Sequence, residues 1–139
     1  MNYRTVDHGW FGRSMVIWWW VPFVSHKWGV TKVPTIYLKK GVDEFTLIHE
    51  MVHVEQWVEK GRWKFLREWL TKRGRLHIEA VGTAARIKAK VDTGGYEPVG
   101  LIEYYAATYP KSYRLGDRWS TAELKEILWG YYDDAMRRV

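Results

Sequence analysis

Apolar and polar positions change rhythm near residue 41 of this 139-residue chain. Before it, β-branched and aromatic residues dominate and helix signals are poor. Residues 15–21 read as a strand. Residues 34–40 alternate more clearly, with Thr35, Tyr37 and Lys39 on one face and Ile36 and Leu38 on the other. The leading Pro34 and the lysines suit an edge strand, because neither fits the middle of a sheet.

After Gly41 the period becomes helical. Asp43 is placed to cap a helix running to about Lys60, with Gly61 just past its end. Phe45, Leu47, Ile48, Met51, Val52, Val54 and Val58 lie nearly all round it, which predicts a buried helix. A second helix is expected over residues 62–72, with Trp63, Leu66, Trp69 and Leu70 as its stripe. Gly74 then separates it from a third, over 75–91, rich in Ala and Gly that allow close approach to a neighbour. Residues 92–100, DTGGYEPVG, read as a loop. A short helix over 101–108 is ended by Pro110, and the capping box Ser120–Glu123 opens a last helix.

No repeat, low-complexity tract or linker interrupts this order, so residues 1–139 read as one domain. The longest apolar run, residues 15–24, falls short of the roughly 20 residues that cross a bilayer. It contains Pro22 and leads to no small-residue cleavage site, so no transmembrane segment and no signal peptide is expected. Cysteine is absent, which excludes disulfide scaffolds, zinc ribbons, iron–sulfur sites and thiol enzymes and suits a cytoplasmic setting. Ten tryptophans and nine tyrosines are read first as core filling and second as the lining of a groove.

The chemistry lies in the first of these helices. It contains HEMVH, with His49, Glu50 and His53. Residues four apart share one helix face, so both imidazoles can reach one metal ion. Glu50 lies about 100° round from His49, at the rim of that face, where it can act on water without ligating the metal. Two nitrogen ligands and an adjacent carboxylate base are the set a zinc hydrolase needs. Burying two histidines and a glutamate on an apolar helix is costly without a partner, and a metal ion supplies one.

A catalytic zinc takes a third protein ligand and keeps one position open. Glu55 and Glu59 point away from the two histidines on their own helix. Downstream stand His77, Glu79 and Asp92. Glu79 is favoured, since its face-mates Gly82, Thr83 and Arg86 include two small residues that let a carboxylate reach the first helix; His77 is its competitor. Gln56, Asp43 and Thr46 are placed to orient the imidazoles.

The stretch TLIHEMVHVEQW followed by LHIEAVGTAA resembles the gluzincin branch of the zincin metallopeptidases, and the short length resembles the minigluzincins and small HExxH proteins of phage and prokaryotes. The resemblance covers roughly residues 34–90. It lacks the NExxSD glutamate motif of larger gluzincins and the extended third-histidine motif of metzincins. It implies an α+β, zincin-like fold. A small antiparallel or mixed sheet would pack its edge strand, residues 35–40, on the active-site helix and a glutamate helix, with further helices C-terminal to them. It implies a Zn2+ peptidase with Glu50 as base and a protein or peptide substrate, a cell-wall peptide included, which would pair with the edge strand. It also implies an oxyanion-stabilising Tyr or His, for which Tyr96, Tyr104, Tyr105 and His26 are the candidates.

Two other function classes stand beside this one. The formal net charge is +6, residues 60–75 interleave Lys and Arg with aromatics and residues 86–90, RIKAK, add three cations, which suits weak nucleic-acid binding around a structural or vestigial metal. Exposed tryptophans would instead suit an interaction protein.

Overall fold

The computed structural model describes residues 4–8, 15–17 and 35–39 by the course of their backbone, and residues 43–138 with their side chains, Arg62 excepted. Strands β1 (Arg4–His8), β2 (Met15–Ile17) and β3 (Thr35–Lys39) come first. Five helices follow among the described residues: α1 (Glu44–Lys60), α2 (Arg62–Trp69), α3 (Lys72–Thr93), α4 (Pro98–Ser112) and α5 (Thr121–Arg137).

The expected α+β, zincin-like architecture is overturned. The region from residue 43 onward contains no strand, the interpretable structure is 82% helical, and both described core clusters are helix against helix. The edge position is corrected too. β3 is the central strand of the order β1-β3-β2, parallel to β1 from Arg4↔Thr35 to His8↔Lys39 and antiparallel to β2 from Met15↔Tyr37 to Ile17↔Thr35. Both sides of Thr35–Tyr37 are therefore taken, and β1 covers the whole of one side, so β3 does not offer the free edge that substrate pairing requires. The sequence pointed elsewhere because β1, RTVDH, has four polar residues in five and carries no strand pattern of its own.

α3 is the axis of the helical region and packs against α1, α2, α4 and α5. Its small residues make this feasible: Ala80, Gly82, Thr83 and Ala84 are all buried. On one side Leu76, Ala80 and Ile87 meet Ile102, Tyr109, Leu124 and Leu128 from α4 and α5. On another, Ile78 meets Trp57 of α1 and Phe65 of α2. The last helix thus supplies core.

Three boundaries differ from the sequence pattern for local reasons. α3 begins at Lys72, where the Thr71 hydroxyl accepts from the Gly74 N–H at 3.0 Å. Gly74 lies inside the helix, where an added Cβ would sit 2.0 Å from the Glu68 carbonyl oxygen, so a side chain there would force the α2–α3 turn apart. α4 starts at Pro98, a residue suited to the first helical turn, which shortens the expected loop. It also runs through Pro110 to Ser112, with Tyr113 N–H bonded to the Tyr109 carbonyl and Leu115 N–H to that of Pro110. The fully buried Tyr109 holds this last turn against α3. The ends of α1 and α5 fall where the pattern puts them, with Asp43, Gly61 and the complete Ser120–Glu123 capping box in place.

Candidate metal centre

α1 buries a polar face. Phe45, His49, Glu50, His53, Val54, Gln56 and Trp57 are its buried residues, while Val58 is 64% exposed. Hydrophobicity alone would turn this helix the other way, so the polar face is compensated by what it meets on α3.

The two helices run antiparallel, as a series of contacts shows. Gln56 Nε2 donates to the Ile78 carbonyl at 3.2 Å. His53 Nε2 is 3.4 Å and His49 Nε2 2.9 Å from the same oxygen, Glu79 Oε2. An added Cβ on Gly82 would lie 3.1 Å from the His49 ring. Beyond these, the Lys90 ammonium stands 5.7 Å from the centre of the Phe45 ring. Glycine at 82 is what lets α3 approach close enough for Glu79 to reach both imidazoles.

His49, His53 and Glu79 each offer one ligand atom, and these lie within 4.8 Å of one another. Ligands about 2.1 Å from a tetrahedral zinc stand roughly 3.4 Å apart, so the observed contacts need only small adjustments to hold an ion. The donor set fits: two imidazole nitrogens and one carboxylate oxygen suit zinc. His53 is pre-oriented. Gln56 turns its NH2 to the Ile78 carbonyl, so its Oε1 accepts from His53 Nδ1–H at 3.0 Å and leaves Nε2 facing Glu79. His49 Nδ1 is buried without a hydrogen-bond partner. Asp43 and Thr46 do not orient it; they bond to each other as an ordinary helix cap.

Without a metal the cluster balances its own charge. Burial lowers the pKa of His49 to about 4, with the hydrogen bond to Glu79 opposing. Burial also pulls His53 down, but the Glu79 charge and hydrogen bond outweigh it and raise His53 to about 9. Burial would raise Glu79, yet His53 and His49 hold its carboxyl well below the usual range. His53 then carries a proton opposite the Glu79 carboxylate.

Glu50 is buried at the rim of the same face, within electrostatic reach of His53, Arg86 and Tyr113. α4 adds support from the other side. The Tyr109 hydroxyl donates to the Glu79 backbone carbonyl at 3.1 Å and lies against the Thr83 hydroxyl. Tyr113 follows α4, stacks edge-on against Tyr109 at 4.7 Å and lies within electrostatic reach of Glu79. Burial and the Glu79 charge push that phenol upward, so it remains a donor. The sequence reading missed Tyr113. Its one signal is a four-residue step from Tyr109 along an apolar helix.

Other candidates lie elsewhere. His77 is exposed and pairs with the Tyr131 hydroxyl. Glu55 and Glu59 are exposed, and Asp92 bonds Lys88 at 2.9 Å. Tyr96 is half exposed beside Phe45, and Tyr104 is exposed. Tyr105 is buried and accepts from Arg86 Nη1 at 3.2 Å. His26 and the aromatic run after Ile17 lie outside the described residues. In the basic stretch, Lys60 pairs with Glu68 and Arg75 donates to the carbonyls of Tyr113 and Trp69.

No family model matches the chain, and no curated protein and no solved structure matches it either. No described helix is long and apolar enough to cross a membrane.

Proposed function

We propose that the chain is a zinc-dependent peptidase whose metal is held by His49, His53 and Glu79 and whose general base is Glu50. The observation that carries this reading is the convergence of both Nε2 atoms on one Glu79 oxygen inside a buried site. When bound, zinc supplies Lewis acidity that acidifies water to a pKa of about 7 and polarises a carbonyl. The residues supply the rest. Gln56 holds the His53 tautomer that presents Nε2. The bond from Tyr109 to the Glu79 backbone carbonyl holds that residue, with Tyr113 within electrostatic reach of its carboxylate. Glu50 takes a proton from water at the site rim and returns it to the leaving amine. Buried flanks keep competing solvent out. The gluzincin resemblance of the HEMVH and IEAVG stretches supports the ligand assignment, and the substrate is a protein or peptide.

Glu50→Gln tests the chemistry apart from the binding. Zinc content should stay at the parent level while hydrolysis of a quenched fluorescent peptide library falls at least about 100-fold, the lower range for a lost general base. Cleavage at the parent rate would remove Glu50 from the mechanism.

A further inference from the structure

Arg86 shares the face of α3 with Glu79, two turns further on. It lies one turn past Gly82, which touches His49, and one turn before Lys90, which stands over Phe45. That puts it on the flank of the cluster towards the start of α1. The side chain is partly buried and makes one hydrogen bond, from Nη1 to the Tyr105 hydroxyl at 3.2 Å. Its guanidinium also stands 5.7 Å from the centre of the Tyr105 ring. Nε is buried with no acceptor. No described carboxylate forms an ion pair with it. A buried Nε–H with no acceptor is costly, and the fork geometry of the guanidinium matches a carboxylate.

Charge points the same way. With a divalent ion on neutral histidines, two positive charges from the ion and one from Arg86 face two negative charges, from Glu50 and Glu79. Among the described residues, one positive charge is left for a bound anion. We propose that Arg86 is the carboxylate-recognising residue of this site, so that its peptide substrate presents a free carboxylate beside the scissile bond. This inference rests on the zinc reading. Tyr105 holds one arm of the guanidinium and leaves the Nε edge to the substrate.

The test uses zinc-loaded full-length protein and three probes: N-acetyl-Ala-Ala, its C-terminal amide, and N-acetyl-Ala-Glu amide. Binding is followed by calorimetry and by the Nε–H resonance of Arg86. At least one free-carboxylate probe should bind about tenfold or more tightly than the neutral amide and move that resonance, the scale of a charge-assisted hydrogen bond. Comparing the two acidic probes tells a chain terminus from an acidic side chain. Arg86→Met should abolish the preference while keeping zinc content and helical circular dichroism, and Arg86→Lys should recover part of it. Equal binding of all three probes, no binding of any, or a preference that survives in folded Arg86→Met would overturn the inference. Zinc content is read separately, so a parent that holds no zinc refutes the metal reading by a different measurement.

Discussion

His49 Nε2 stands 2.9 Å from Oε2 of Glu79, a residue thirty positions further along the chain. That contact joins α1 to α3 and makes Glu79 the hub of the site, since His53 faces the same oxygen. On the proposed metal reading, Glu79→Ala removes one ligand and the counter-charge to His53. Zinc affinity should fall by more than the 10–100-fold typical of groups that only orient a ligand. Competition against a fluorescent chelator measures it. An affinity within threefold of the parent would take Glu79 out of the ligand set.

Gly82 marks the closest approach of the two helices. Alanine there adds helix propensity worth about 1 kcal/mol. Its Cβ would press on the His49 ring at 3.1 Å, tighter than an ordinary contact. Gly82→Ala should therefore leave the chemical-denaturation midpoint of the metal-free protein nearly unchanged and weaken zinc binding about tenfold, within the range for displaced site geometry. Equal losses in both would mean that the ring relaxes freely and the approach matters only for packing.

Tyr113 and Gln56 act on the ligands rather than on the metal. Tyr113→Phe removes the hydroxyl that lies within electrostatic reach of Glu79, and Gln56→Leu removes the acceptor for His53 Nδ1–H. Each should lower zinc affinity about 10-fold, in keeping with the loss of one orienting group. In the double variant the losses should add, since the two groups hold different ligands. Unaltered affinity in Tyr113→Phe would mean that its hydroxyl serves packing alone.

The metal-free protein should be most stable near pH 6.5. His53 is raised from 6.5 to about 9, so its contribution is complete below 6.5 and is lost as pH rises through 9. His49 is lowered from 6.5 to about 4 by burial. Below 6.5 the unfolded chain takes up a proton that the folded chain refuses, and stability falls towards pH 4. Glu79, held below its ordinary 4.5, adds to the loss on the acid side as the unfolded carboxyl protonates. Urea midpoints of chelator-treated protein between pH 4 and 9.5 should trace this maximum. A midpoint that keeps climbing up to pH 9 would show that His53 is neutral in the folded state.

The local parts of this site are legible in the chain. HEMVH specifies its own spacing on α1, and the small residues after Glu79 indicate where α3 can come close. The orientation of α1 is less so: its apolar residues lie on several sides, and only the charges it meets on α3 decide that the polar face turns inward. Arg86 is a face-mate of Glu79 by counting. Nothing in RIKAK says that one of its cations is partly buried against Tyr105 while Lys88 pairs at the surface. Tyr113 reaches Glu79 only because α4 continues through Pro110, where proline chemistry predicts a stop. The sheet was misplaced for a related reason. Pro34 and the lysines mark an edge locally, but β1 comes from a distant segment with no pattern to announce it.

The central claim is that His49, His53 and Glu79 hold one metal ion. It is tested most directly by inductively coupled plasma mass spectrometry on untagged protein, beside His49→Ala and Glu79→Ala. One zinc per chain in the parent, and none in either variant, is the predicted result. A parent that retains no metal after zinc is offered would contradict it, and would leave the three side chains as a buried salt-bridged cluster that ties α1 to α3.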